Sequence, residues 1–246
     1  MIKLNGHIIT PTIFPDKTSQ VWKLPKNLIH ITRNVIRWEF ENEAEFIHLV
    51  QLKTLISKTF FAAYSVLELP YLPYARQDKA ITNESTFAFL PFCKLLNTLD
   101  FDEVQVFDPH NNELAMDSID GCVVAMPNIS KIVKAAGNAI PVYPDAGASR
   151  RYVAMNKAIY CEKVREPLTG AIVGVKVNGK IKKQSYVIID DICDGGRTFI
   201  EVAKVLYQKG AKEVHLYVSH GIFSKGLEPL REAGIKRIFT RKGEVL

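Results

Sequence analysis

The residues from Tyr186 to Thr198 read Tyr-Val-Ile-Ile-Asp-Asp-Ile-Cys-Asp-Gly-Gly-Arg-Thr, and their types suit capture of an anionic polyol. Tyr186 to Ile189 is the aromatic and β-branched run of a buried central strand, and Asp190 and Asp191 stand at its carboxyl end. Asp194, Gly195 and Gly196 make a tight turn. Thr198 then opens a helix whose apolar positions Ile200, Ala203, Val205 and Leu206 keep a roughly helical spacing. A strand tip followed by a helix amino terminus favours an anion, because unpaired N–H groups point outward and the helix dipole is positive there. Two carboxylates beside such a cradle suit a vicinal diol, which offers two donors, and repel a second phosphate. Arg197, at the helix start, carries a guanidinium that can fork across phosphate oxygens or stack on a base. By residue type alone the same pattern also describes a capped strand and a glycine turn.

Other side chains of chemical interest fall at the ends of apolar runs. Arg76-Gln77-Asp78 follows the run Ala62 to Leu69 and a Pro-Tyr-Leu-Pro-Tyr-Ala segment. Arg76 offers a forked donor and a planar face, and Gln77 both gives and accepts hydrogen bonds. His110 follows the run Glu103 to Phe107 through Asp108-Pro109, and Asp145 follows Ala139 to Tyr143 in Pro-Asp-Ala-Gly. A hard cation prefers oxygen, so Asp145 is the stronger metal candidate, with His110 acting directly only where the ion keeps several waters. Lys163 and Arg165 lie two residues apart, so on an extended segment both can face one phosphate chain, although a solvated basic face has the same composition.

Positioning these groups takes alternating strands and helices. Strands are predicted at Gly6 to Ile13, Leu28 to Thr32, Ala62 to Leu69, Glu103 to Phe107, Ala139 to Tyr143, Ala158 to Glu162, Tyr186 to Ile189 and Glu213 to Val218. Helices are predicted at Asn42 to Ser57, Thr86 to Thr98, Ile129 to Ala136, around Ser149 to Asn156, and from Thr198 to Gly210. Residues 163–183, polar, basic and glycine-containing, read as a mobile hairpin or flap. Two α/β domains with mainly parallel sheets follow, 1–126 and 127–246.

Composition narrows the function classes. With 47% apolar and 24% charged residues among 246, the chain can bury a sizeable core. The net charge of +6 comes without a dense basic run or aromatic-basic interleaving, so anionic small substrates are expected and nucleic acid is not. The four cysteines, Cys93, Cys122, Cys161 and Cys193, form no Cys-x-x-Cys pair, which argues for reduced thiols in a cytoplasmic protein. No apolar stretch approaches the roughly 20 residues of a membrane span, and no membrane partner is expected.

Taken together these motifs resemble the ribose-phosphate pyrophosphokinase (PRPP synthetase) family, from Phe14-Pro15-Asp16 through Pro-Tyr-x-Pro-Tyr-Ala-Arg-Gln-Asp to Ser219-His220-Gly221. The resemblance implies two type I phosphoribosyltransferase-like domains, each with a mainly parallel sheet flanked by helices. It implies transfer of diphosphate from Mg-ATP to a 5-phosphorylated ribose with release of AMP, in a homo-oligomer whose neighbouring subunit completes the ATP site. By the same resemblance Asp16, Arg76, Gln77, Asp78 and His110 bind ATP, and His110 and Asp145 lie near its magnesium. Asp190, Asp191, Asp194, Gly195, Gly196, Arg197 and Thr198 bind the acceptor, and Lys163 and Arg165 open the catalytic flap 163–183; His220 is expected to be structural. The chain departs from the family at Gly195, where the family has Thr, at Arg197, where it has Gly, and at Lys17-Thr18, where a Gly-Glu that helps hold adenine is lost. The first two departures open the phosphate cradle and favour ADP-ribose over ribose 5-phosphate as acceptor, giving an activated precursor for NAD synthesis. A phosphoribosyltransferase would share the loop at Asp190 but has no need of the Arg76 loop; a non-catalytic regulatory subunit would lack the flap cations.

Overall fold

The computed structural model describes residues 1–22, 24, 27–152, 158–165 and 172–246, with the side chains of 163–165 and 172–173 outside the description. The chain divides into two compact units, Met1–Met126 and Pro127–Leu246. Each is an α/β layer built on its own sheet.

The first unit carries six strands in the spatial order His7–Ile9, Ile2–Leu4, Arg33–Trp38, Tyr64–Leu69, Glu103–Phe107, Cys122–Ala125. The last four are mutually parallel, and the chain start adds an antiparallel hairpin at the edge. That hairpin corrects the strand predicted from Gly6 to Ile13. Asn5 and Gly6 both take positive φ, 48° and 86°, the turn that joins two strands with the correct twist. The strand predicted at Leu28 to Thr32 lies instead at Arg33–Trp38, with Asn34, Ile36 and Trp38 facing inward. Asn34 is tolerated inside because its amide bonds the His30 N–H and carbonyl, both at 2.7 Å, and the Asn5 amide at 3.0 Å. The helices Glu45–Thr59 and Phe89–Asn97 bury Leu49, Leu52, Ile56, Phe92 and Leu96 in the core beside this sheet.

The second unit carries seven strands in the order Ile172–Asn178, Ile159–Arg165, Ile140–Tyr143, Ser185–Cys193, Glu213–Gly221, Ile235–Thr240, Gly243–Glu244. The middle five are parallel and both edges are antiparallel. The central strand is covered on both faces, which explains its unbroken apolar run. Ile188 packs with Val142, Leu216 and the helix Arg197–Gln208 on one side. Val187 and Ile189 pack with Tyr143, Tyr152 and the helix Ile129–Ala135 on the other.

Three predicted strands are longer than expected: the one at Ala158 to Glu162 spans Ile159–Arg165, and two more lengthen at their carboxyl ends. Parallel pairing continues from Asp190 opposite Val218 to Cys193 opposite Gly221, so the strands run Ser185–Cys193 and Glu213–Gly221 and absorb Asp190, Asp191 and Ser219-His220-Gly221. The helix predicted around Ser149 to Asn156 spans Ala146–Arg151. Within 163–183, Lys163 lies opposite Val175 and Arg165 opposite Ile172 in an antiparallel hairpin, and residues 166–171 lie outside the described residues. The helices Asn112–Ser118 and Glu228–Glu232 and the strands Cys122–Ala125 and Ile235–Thr240 were not among the predicted elements.

Candidate active-site loops

The two acids of the second unit are held from behind. Asp190 and Asp191 have side chains 16% and 4% exposed. Asp190 Oδ1 accepts the Asp191 N–H at 2.9 Å, which fixes its carboxylate against its own backbone. Arg151 Nη1 lies 2.7 Å from Asp191 Oδ1 and 3.4 Å from Asp190 Oδ1. Burial, then the charge of Asp191, pushes the Asp190 carboxyl above its ordinary value; Asp145 adds to the rise and Arg151 opposes it. Burial works against the Arg151 charge, but Asp191 and the other neighbours outweigh it and hold the guanidinium well above its usual range.

Arg151 reaches this place through a short, well-started helix. Asp145 is its N-cap, in extended backbone, and its Oδ1 accepts the Ala148 N–H at 3.0 Å. Sequence reasoning missed Arg151; the available signal was a basic pair, Arg150-Arg151, ending the stretch that Asp145 begins.

The turn after the acids needs its glycines unequally. Gly196 has φ 76°, and a Cβ there would lie 2.9 Å from Leu230 Cδ2, so both backbone and packing require glycine. At Gly195 a Cβ would meet only the Lys225 stem, at 3.6 Å. Lys225, also missed from sequence, therefore stands beside the cradle. Gly196 caps the helix Arg197–Gln208 with no side-chain hydrogen bond, leaving the first-turn amides oriented as an anion cradle would need them. Arg197 is exposed and donates from Nε to Glu201 at 3.0 Å. Asp194 is exposed and Thr198 half-buried in the same turn. Burial pushes the Cys193 thiol up to about 12, with Asp194 and Asp190 adding to the rise, so Cys193 is an inert neighbour rather than a nucleophile. His220 is buried in its strand.

In the first unit, the Arg76 loop leaves the strand Tyr64–Leu69 and is braced at Tyr74. Tyr74 has φ 62°, its hydroxyl bonds Glu43, and its carbonyl accepts the Gln77 N–H at 2.8 Å. Arg76 and Gln77 are presented to solvent and Asp78 is half-buried. Asp16 sits in the exposed turn between the short strands Thr12–Ile13 and Ser19–Gln20. Its Oδ1 accepts the Thr18 hydroxyl at 2.7 Å and the Thr18 N–H at 3.0 Å, and these bonds hold its carboxyl below the ordinary value. His110 is half-buried beyond the strand Glu103–Phe107, just before Asn111, which caps the helix Asn112–Ser118. Among the described residues no three His, Cys, Asp or Glu side chains converge as a metal site. The side chains of Lys163 and Arg165 lie outside the described residues.

Residues 145–244 match the phosphoribosyl transferase domain family, which spans the acid loop, the cradle and Arg151. The chain is 27% identical over 243 residues to the ribose-phosphate pyrophosphokinase of Pyrococcus abyssi, covering 92% of this chain and 81% of that protein. It is 25% identical to the enzyme of the same name from Sulfolobus acidocaldarius, covering 93% and 81%. The chain is thus similar to ribose-phosphate pyrophosphokinases over more than nine tenths of its length. Ribose-phosphate pyrophosphokinase 4 of Saccharomyces cerevisiae is 30% identical over 185 residues, covering 69% of this chain and 55% of that protein. The fold agrees with this family: the crystal structure of phosphoribosylpyrophosphate synthetase from Mycobacterium smegmatis superposes with a TM-score of 0.75 at 20% identity, covering 94% of this chain and 78% of that one. No helix among the described residues is long and apolar enough to cross a membrane.

Proposed function

We propose that this chain is a diphosphotransferase of the ribose-phosphate pyrophosphokinase type, moving diphosphate from ATP to the anomeric hydroxyl of a 5-phosphorylated ribose and releasing AMP. The observation that carries the reading is the Asp190-Asp191 pair followed by a glycine turn and a helix start that no side chain caps, in a chain similar to named pyrophosphokinases over more than nine tenths of its length. The sugar hydroxyl is itself the nucleophile, so alignment and charge neutralisation suffice and no covalent enzyme intermediate is needed.

In this scheme Asp190 and Asp191 serve the ribose diol, and Asp194 to Thr198 receive the phosphate. Arg76, Gln77, Asp78, Asp16 and His110 hold ATP. Lys163 and Arg165 meet the phosphate chain and stabilise charge passing to the AMP leaving group. Magnesium would be carried in by the nucleotide and would keep water and phosphate oxygens as most of its ligands; in the second unit the hard carboxylate oxygens of Asp145 suit its surroundings, and in the first unit His110 is the candidate on the ATP side. Bound magnesium would neutralise the phosphate charges. The enzyme acts as a homo-oligomer in the cytoplasm.

The acceptor we favour is ADP-ribose, whose product would be ADP-ribose 1-pyrophosphate, an activated precursor for NAD synthesis. Its support is the pair of cations beside the cradle, Arg197 at the helix start and Lys225 across Gly195, which suit a substituted 5-phosphate better than a terminal one. Incubation with ATP and each sugar, with AMP and ADP resolved by chromatography, tests both levels. ATP is expected to yield AMP and no ADP, with kcat/KM higher for ADP-ribose. A tenfold preference for ribose 5-phosphate, about 1.4 kcal/mol, would overturn the acceptor and leave the reaction standing; stoichiometric ADP would overturn the reaction.

A further inference from the structure

Two adjacent carboxylates on one buried strand end are an unfavourable arrangement, because each raises the cost of ionising the other. Here a third group resolves it. Arg151, with a side chain only 9% exposed, brings Nη1 to 2.7 Å from Asp191 Oδ1 and 3.4 Å from Asp190 Oδ1. The guanidinium is also fixed on its flank: its centre lies 5.7 Å from the Tyr152 ring, and Tyr152 stacks on Tyr143 at 5.9 Å. Both rings are buried, and Tyr143 belongs to the strand hydrogen-bonded beside Asp190's own. The support is therefore built into the core, and it treats the two acids differently. Asp191 is almost wholly enclosed and takes the short contact; Asp190 is the more exposed acid and takes the long one.

We infer that Arg151 is a positioning residue for the acceptor: it anchors on Asp191 and sets the Asp190 carboxylate to receive the vicinal hydroxyls, so that discrimination for a ribose over its 2-deoxy counterpart runs through Arg151. The inference rests on the proposed acceptor site. The charged groups that bear on Asp190 are Asp191 beside it, Asp145 at the start of the Arg151 helix, and Arg151 itself. Among them Arg151 alone is a cation, and a lysine there would keep the charge but lose the planar fork.

The test compares Arg151→Met, Arg151→Lys and Asp190→Asn with the unaltered protein. AMP formation is measured with whichever acceptor gives the higher kcat/KM and with the same acceptor lacking the 2-hydroxyl of its terminal ribose. Arg151→Met is expected to lower the ribo-over-deoxyribo ratio roughly tenfold, toward that of Asp190→Asn, while KM for ATP stays within about twofold. Arg151→Lys is expected to fall between, and it carries the comparison if circular dichroism shows that Arg151→Met does not fold. An unchanged ratio in a folded Arg151 variant overturns this inference alone. No AMP from the unaltered protein with either acceptor overturns the proposed function, and this inference with it.

Discussion

Replacing Gly196 by alanine separates a glycine that the fold demands from one that it merely contains. Two costs add at Gly196. The backbone sits at φ 76°, which for an L side chain costs about 1–2 kcal/mol. The new methyl would lie 2.9 Å from Leu230 Cδ2 and 3.4 Å from its Cγ, and Leu230 is itself buried, so relieving the overlap displaces a packed side chain at about 1–2 kcal/mol. The lower entropy of alanine in the unfolded chain returns about 0.5 kcal/mol. The net loss is about 1.5–3.5 kcal/mol, which lowers the midpoint of thermal unfolding by about 3–14 °C. Gly195→Ala is the control: its backbone is not left-handed and its methyl would meet only the flexible Lys225 stem at 3.6 Å, so a change within about 0.5 kcal/mol is expected. Melting followed by far-ultraviolet circular dichroism decides it. Equal shifts for the two variants, or a Gly196→Ala protein that melts with the unaltered one, would refute the reasoning from backbone and packing.

Three further outcomes are expected. Lys163→Ala and Arg165→Ala should each lower kcat roughly a hundredfold with little change in KM, because their contacts strengthen as charge shifts to the leaving group; wild-type turnover in either would reduce the hairpin to a solvated basic surface. Asp145→Asn keeps the cap on Ala148 and should leave stability unchanged while raising the magnesium needed for activity, whereas Asp145→Ala should also lose about 1 kcal/mol of stability; an unchanged magnesium titration in both would remove Asp145 from the metal's surroundings. Burial lowers the His215 pKa from its ordinary 6.5, against a smaller opposing effect of Glu213. The unfolded chain therefore binds the proton more readily, so the His215 contribution is complete above pH 6.5 and is lost as pH falls below it toward the folded value. His215→Asn should flatten that part of the melting-temperature profile, and parallel profiles would count against it.

Much of the second unit was legible because burial on both faces leaves a simple mark. The run Tyr186 to Ile189 can only be a central strand, and the glycine turn and amphipathic helix after it punctuate themselves. What escaped were features whose cause is tertiary. The strand Arg33–Trp38 hid behind an inward-facing Asn34, acceptable only because Asn5 and His30 satisfy its amide. The central strand extends through two carboxylates that are braced by Arg151, which stands 39 residues before Asp190 in sequence. Lys225 likewise reaches the cradle from the loop after a neighbouring strand, a proximity that no local pattern records. The Asn5-Gly6 turn differs: its signal is local, an Asn-Gly pair between two short apolar runs.

The most direct measurement is the fate of the ATP phosphates in the presence of a ribose acceptor. ATP radiolabelled at the β-phosphorus should pass its label to the sugar product, with unlabelled AMP formed in equal amount, as followed by chromatography of the labelled species. Label retained in ADP, or released as free pyrophosphate with no labelled sugar, would contradict a diphosphate transfer by this chain.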